Sequence, residues 1–114
     1  MSLDAFLQRL RADPAQIEFA DTLAVIEASY GYTPMAFRNG DVRNAAGQNA
    51  GSCKIFAFAR LQGLSEAETL ACFGRYYRED VLQHPDAADH ANIRTFMRSG
   101  WAGVSFEGAA LTPR

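Results

Sequence analysis

Three shortages in this chain exclude whole classes of function. It has only two cysteines, Cys53 and Cys72, which are too few for a disulfide framework, so we expect reduced thiols and a cytoplasmic protein. No run approaches the ~20 apolar residues of a membrane-spanning helix, and no signal-peptide pattern opens the chain, so we expect a soluble protein without a membrane partner. Eleven basic residues against thirteen acidic ones give a net charge of −2, which argues against nucleic acid as a partner.

What is present is ordinary globular composition, 48% hydrophobic and 21% charged over 114 residues, enough for one modest core. Apolar periodicity, caps and turn residues predict five helices: one over 3–12, one from Asp13 towards Tyr30, one from Ser52 to Gly63, one from Ser65 that Gly74 bends, and one from near Asp89 to Gly100. They also predict a short edge strand or hairpin around Phe37 and a strand at 104–106. We expect an α+β fold, a mainly helical single domain with a small β-hairpin or a two- to three-stranded sheet in which the strand near Val104 pairs with the one near Phe37. The domain is expected to cover residues 1–111, with 112–114 as a flexible C-terminal tail.

The most unusual segment runs from Asn39 to Lys54 and contains three asparagines and three glycines. Glycine lets backbone amides approach a partner closely, and asparagine tolerates left-handed geometry. With Ser52 as a helix cap and Lys54 behind it, the segment has the character of an anion site at a helix N-terminus. The alternative is an ordered loop whose asparagines satisfy its own backbone. The spacing matches neither a P-loop nor a dinucleotide fingerprint, so nucleotide binding is not predicted.

Cys53 is the candidate nucleophile. The first turn of a helix and the neighbouring Lys54 would both lower the pKa of its thiol. His90 is the preferred general base, and backbone amides near Cys53 would stabilise an oxyanion. The alternative is that Cys53 is a small packing residue and His90 a capping or surface residue.

Neither a cofactor nor a metal is predicted. His84, Asp86, Asp89 and His90 can form a loop cluster for a divalent ion, but acidic residues around a helix start are more often caps. Aromatic and arginine side chains later in the chain add to a possible binding surface. The full set of predicted ligand-binding residues is Asn39, Asn44, Gln48, Asn49, Ser52, Lys54, Tyr77, Arg94 and Trp101.

Several sequence segments together resemble the HopJ family over most of the chain. They are Tyr30-Gly31-Tyr32-Thr33-Pro34, Phe37 with Asn39-Gly40, residues 44–49, Gly51-Ser52-Cys53-Lys54, Phe73-Gly74 with Tyr76-Tyr77-Arg78, and His90 with Asn92-Ile93-Arg94 and Phe96-Met97 through Gly100-Trp101. That family is named after a Hrp outer protein thought to be delivered into host cells through a type III secretion apparatus. The resemblance implies an effector label and possible secretion by that route, but no catalytic residue.

We therefore expect a small binding or interaction domain whose functional surface combines the Asn44–Lys54 loop with Arg94 and Trp101. Its partner would be an unknown small ligand or protein, and its oligomeric state is left open. The rival hypothesis is a small thiol-dependent enzyme with Cys53 as nucleophile and His90 as base.

Overall fold

The computed structural model describes all 114 residues, and one apolar helix lies at its centre. The elements are α1 (Leu3–Ala12), α2 (Phe19–Ser29), β1 (Tyr30–Tyr32), β2 (Phe37–Asn39), β3 (Val42–Asn44), α3 (Ala50–Leu61), α4 (Glu66–Ala71), α5 (Ala91–Ser99), β4 (Val104–Phe106) and β5 (Leu111–Pro113). Apolar residues occupy most of the circumference of α3, so that Cys53 and every residue from Ile55 to Ala59 is buried. The predicted mainly helical α+β fold is confirmed. None of its helices has the length and apolar character needed to cross a bilayer.

Five short strands form two small antiparallel sheets around this helical core. One sheet has the order β3-β2-β4, with Phe37 opposite Phe106 and Asn39 opposite Val104. The predicted hairpin at Asn39-Gly40 and the pairing of the Val104 strand with the Phe37 strand are thus confirmed. The Phe37 strand is central, however, and not an edge, because both of its sides are paired.

The C-terminal residues belong to the fold. Strand β5 pairs with β1, placing Pro113 opposite Tyr30 and Leu111 opposite Tyr32. The Arg114 amide donates to the Ser29 carbonyl at 3.0 Å, and its guanidinium donates to the Glu27 carbonyl at 2.7 Å. The expected boundary at Leu111 is therefore corrected, because backbone pairing holds the last three residues against β1 and the end of α2.

Local capping decides the helix starts. The Ser2 hydroxyl caps α1 at 3.1 Å and Ser65 and Glu68 form the predicted capping box of α4. The predicted start of α2 at Asp13 is wrong. Residues 14–16 make a single 3-10 turn, and the chain then extends to bury Ile17. Helix α2 begins at Phe19, where the Asp21 carboxylate accepts from the Glu18 amide at 3.1 Å.

Gly74 separates α4 from the helical turn that follows it, whereas the sequence predicted one helix with a bend at this glycine. Its φ is +60°, and a Cβ there would lie 2.6 Å from the Phe19 amide nitrogen. Only glycine allows this left-handed, close approach of two backbones. Helix α4 consequently ends at Ala71, and residues Tyr76–Val81 form a separate π-helical turn.

An aromatic cluster joins these elements around Phe56 of α3. Its ring centroid lies 4.9 Å from Phe96 of α5, 5.5 Å from Phe73, 6.1 Å from Phe37 of β2 and 6.4 Å from Trp101. Such contacts fix the two helices relative to the sheet. As a result, the N-termini of α3 and α5 meet at one place on the surface.

Candidate functional site

A cavity of about 300 Å³ lies where α3 and α5 begin. We call it the helix-start cavity, and its lining consists of Phe19, Asn49, Gly51, Ser52, Phe73, Tyr76, His90, Ala91, Asn92 and Ile93. The aromatic part of this lining is ordered by ring contacts, with Tyr76 4.9 Å from Phe19 and 5.1 Å from His90, measured between centroids. Two helix N-termini therefore open onto a small space with an aromatic wall.

Both helices that face the cavity start without a side-chain cap. Their N-cap residues, Asn49 and His90, have left-handed backbone conformations with φ of 52° each, and neither side chain accepts from the helix. The predicted cap Ser52 is thus corrected, because the helix already starts at Ala50 and Ser52 lies within its first turn. At α1 and α4, in contrast, a serine hydroxyl accepts from a first-turn amide.

Missing caps leave backbone donors free at the cavity. The first paired amides are Cys53, which donates to the Asn49 carbonyl at 3.0 Å, and Arg94, which donates to the His90 carbonyl at 3.1 Å. The preceding amides that belong to cavity-lining residues are those of Gly51, Ser52, Ala91, Asn92 and Ile93. Free amides at a helix N-terminus carry partial positive charge. The partial positive charges of two helix N-termini therefore add at this one cavity.

The imidazole of His90 is held from the side away from its helix. Its Nε2 lies 3.0 Å from Asp80 Oδ2, and this contact fixes the orientation of the ring. Asp89 is engaged separately, because the Arg94 guanidinium donates to its Oδ1 at 2.8 Å. This hydrogen bond is the main cause of a lowered Asp89 pKa.

Arg94 supports the loop before α5. Besides Asp89, its guanidinium donates to the carbonyls of Asp80 at 3.2 Å and Asp89 at 2.6 Å, and its side chain is only 12% exposed. Its hydrogen-bonding capacity is therefore spent on holding the segment that presents His90, and Arg94 does not line the cavity.

All four asparagines of the chain join one hydrogen-bonded network behind the cavity. Asn92 and Asn44 bond reciprocally at 3.0 and 3.2 Å, Asn39 donates to Asn92 Oδ1 at 3.1 Å, and Asn49 donates to Asn44 Oδ1 at 2.7 Å. Asn39 and Asn44 are buried, so their side chains serve the interior, whereas Asn49 and Asn92 also reach the cavity lining. Most of these bonds join asparagine side chains to one another, whereas the alternative hypothesis had the asparagines bonding to the backbone of their own loop.

Cys53 is buried in the core and does not line the helix-start cavity. Its thiol is 1% exposed and donates to the Met35 carbonyl at 3.7 Å. Burial raises the pKa of Cys53, outweighing the lowering effects of the Met35 carbonyl, Tyr32 and Lys54. The expected low pKa is wrong because the thiol is buried, and burial disfavours the thiolate. No hydrogen bond joins Cys53 to His90.

The remaining predicted residues lie outside the helix-start cavity. Gln48 accepts from the Ala45 amide at 3.0 Å, Lys54 lies 4.8 Å from the centre of the Tyr32 ring, and Trp101 donates its indole N–H to the Leu64 carbonyl at 3.1 Å. Tyr77 is half-buried against the core. The structure thus brings Asn49, Ser52 and His90 together and leaves these four apart.

Sequence reasoning missed several residues of the site. Phe19 and Phe73 line the cavity, but an apolar residue on a helix gives no sign of facing a ligand instead of the core. Asn92 gave a usable signal, because it is a polar residue near His90 in the first turn of a predicted helix. Gly51 was recognisable only as part of the glycine-rich segment.

A partial metal-ligand cluster lies beside His90. Single ligand atoms of Asp80, Asp89 and His90 fall within 4.8 Å of one another. His84 and Asp86 of the alternative loop cluster do not take part. Arg94 already neutralises Asp89, so a cation here would compete with a guanidinium.

Comparison with known proteins identifies the family and leaves the activity open. No curated protein matches the chain. The crystal structure of the unknown function protein VPA0580 is similar, with 56% identity and a TM-score of 0.99, covering 100% of this chain and 95% of that chain. The family model described as HopJ type III effector protein matches residues 3–111. The chain therefore belongs to the HopJ type III effector protein family.

Proposed function

We propose that this protein is a binding domain for a small anionic ligand, held in the helix-start cavity. The observation that carries the proposal is the meeting of two uncapped helix N-termini at one cavity with an aromatic wall. It keeps the binding role expected for the Asn44–Lys54 loop, and it centres that role on the loop's last residues and on the start of α5.

Electrostatics favours an anion at this place. Each helix contributes the equivalent of about half a positive charge at its N-terminus, and free amides there are ready-made donors to a phosphate or carboxylate. The acidic groups nearest to His90 are engaged, Asp80 by the imidazole and Asp89 by Arg94. An anion seated between the helix starts would thus meet donors on two sides.

Size and lining describe the rest of the ligand. A cavity of about 300 Å³ is at the small end of the range for ligand sites. Phe19, Phe73 and Tyr76 supply apolar surface, and Tyr76 remains 42% exposed at the rim. A small carboxylate or phosphate ester with a compact apolar body fits this combination.

Binding is favoured over thiol chemistry. A nucleophilic cysteine needs access and a depressed pKa. Cys53 is buried, its pKa is raised, and its hydrogen-bond acceptor is the Met35 carbonyl. The thiol-dependent alternative would require α3 to move before chemistry, whereas binding at the helix starts requires no rearrangement.

Gly51→Ala is the sharpest test. A Cβ at Gly51 would lie 2.9 Å from Phe19 Cζ, so the Phe19 ring, which lines the cavity, must shift, while the helical backbone accepts alanine readily. We expect a panel of small carboxylates and phosphate esters to shift the NMR amide signals of residues 50–52 and 91–93. Gly51→Ala is expected to weaken that binding at least ~10-fold without loss of stability.

Gly31→Ala is the matched control, because its Cβ would have its nearest neighbour at an ordinary 3.6 Å and Gly31 lies in β1, away from the cavity. The proposal fails if no member of the panel perturbs the two helix starts. It also fails if Gly51→Ala and Gly31→Ala bind alike.

Family membership adds a proposal about location. We expect the protein to reside in the cytoplasm of the producing cell and to be a client of a type III apparatus if it acts as an effector. A reporter fused to the chain and followed in secretion-competent and secretion-deficient cells tests this. Equal retention of the reporter in both would remove the export role and leave the binding role untouched.

A further inference from the structure

Two arginines face each other on the outer side of the three-stranded sheet. Arg38 of β2 is directly opposite Arg43 of β3 and, on its other side, opposite Ser105 of β4. All three residues are exposed. We call this set the arginine row. Directly opposite residues of an antiparallel pair have Cβ atoms about 5 Å apart, so the two guanidinium groups start from neighbouring points.

Neither arginine of the row has a partner in the protein. Most other cationic side chains are engaged: Arg60, Arg78, Arg94 and Arg114 donate to carbonyl groups, Arg11 and Arg75 pair with glutamates, Arg98 donates to Thr95, and Lys54 lies over Tyr32. Like charges directly opposite on a sheet destabilise it. The pair thus carries a cost that no contact within the chain offsets.

A recess of about 480 Å³ adjoins the row at the end of the sheet. Arg38, Arg43 and Ser105 all line it, together with Gln48, whose amide oxygen already accepts from Ala45 and whose NH2 group remains available. Glu107 also lies on its lining but forms no ion pair with either arginine. The recess is therefore rich in free donors and holds one unpaired carboxylate.

We propose that the arginine row binds the phosphate group of a soluble small molecule. Two adjacent guanidinium groups match a tetrahedral dianion, which offers three oxygens and neutralises both charges, better than a carboxylate with a single charge. The recess is concave at the sheet end, which suits a small molecule more than a flat lipid surface. This site is separate from the helix-start cavity, with no lining residue in common.

The test is an NMR titration of the full chain with inorganic phosphate and with phenyl phosphate. We expect both probes to shift the signals of residues 38, 43 and 105, and Arg38→Gln or Arg43→Gln to weaken binding about 10-fold or more. Arg9→Gln is the matched control, since Arg9 is exposed and unpaired on α1. Unperturbed signals at the row, or equal affinity in the Arg38→Gln and Arg9→Gln proteins, would overturn the proposal.

Thermal stability with and without phosphate distinguishes a binding site from two solvent-exposed arginines that bind nothing. Without phosphate, Arg43→Gln should raise the unfolding temperature by about 1–4 °C because it removes the cross-strand repulsion. With phosphate, the wild type should gain stability and the variant should not. A variant that is less stable without phosphate would overturn the proposal. So would sedimentation of the protein with phosphatidic acid vesicles in the absence of binding to the soluble probes.

Discussion

Replacing Asn92 by alanine tests whether the asparagine network is a structural element. Asn92 is 5% exposed, and its amide group makes three side-chain hydrogen bonds, two with Asn44 and one with Asn39. Truncation removes all three at once. It leaves the backbone of α5 unchanged, because alanine is a good helix former.

The expected loss of stability in Asn92→Ala depends on which hydrogen bonds Asn39 and Asn44 keep. The Asn39 NH2 group keeps the Asn92 backbone carbonyl at 2.8 Å, while the Asn44 NH2 group keeps only a long 3.5 Å contact with Phe37. Each buried donor left without a good acceptor costs about 1–3 kcal/mol. We therefore expect a loss of about 3 kcal/mol. At about 2.1 cal/mol/K per residue this corresponds to a fall of about 12 °C in unfolding temperature.

Denaturant unfolding and calorimetry measure this loss. Gln83→Ala is the control, because Gln83 is exposed and its side-chain amide makes no hydrogen bond, so the stability of this variant should change by no more than ~0.5 kcal/mol. A double-mutant cycle of Asn44→Ala with Asn92→Ala should give a coupling energy above about 1 kcal/mol. A loss below about 1 kcal/mol for Asn92→Ala, or independent effects in the cycle, would refute a structural role for the network.

Three further predictions concern the thiols, one carboxylate and the chain end. Iodoacetamide should leave Cys53 and Cys72 unmodified at pH 7–9 until the protein unfolds, since burial raises both pKa values, that of Cys72 to about 12; rapid labelling of native Cys53 would contradict this. The pKa of Glu68 lies below its ordinary value of 4.5, chiefly through the Ser65 amide, so its carboxylate stabilises the fold above that pH and the contribution disappears as pH falls. Glu68→Gln should flatten the loss of stability as the pH falls below 4.5, and an unchanged slope would refute the linkage. A chain ending at Leu111 should lose about 2 kcal/mol in thermal unfolding with its strand pairing, whereas an unchanged midpoint would make residues 112–114 a tail.

The elements that the sequence predicted correctly have strong local signals. The Ser65 capping box, the Gly100 stop and the Asn39-Gly40 turn each fix geometry within a few residues. The predicted start of α2 at Asp13 was wrong because Asp13-Pro14 has the residue pattern of a helix N-terminus but begins only a 3-10 turn. What shifts the real start to Phe19 is the burial of Ile17 against distant residues, which no local pattern contains.

The site was only half predictable for the same reason. Asn49, Ser52 and His90 stood out by residue type, and all three line the cavity. That the starts of α3 and α5 meet depends on packing around Phe56, a tertiary fact. The low pKa expected for Cys53 failed because helix position alone does not tell how deeply a side chain is buried.

The pairing of β1 with β5 also has a consequence for the order of folding. The strand Leu111–Pro113 completes this sheet, and its partner Tyr30–Tyr32 lies far before it in the sequence. Contacts between distant segments form late, because loop closure must come first. The helices depend on local contacts and form earlier, so β1 has an unpaired edge until β5 docks. An unpaired strand edge is a template for pairing with another chain, so the interval before β5 docks is when the folding chain is most prone to association.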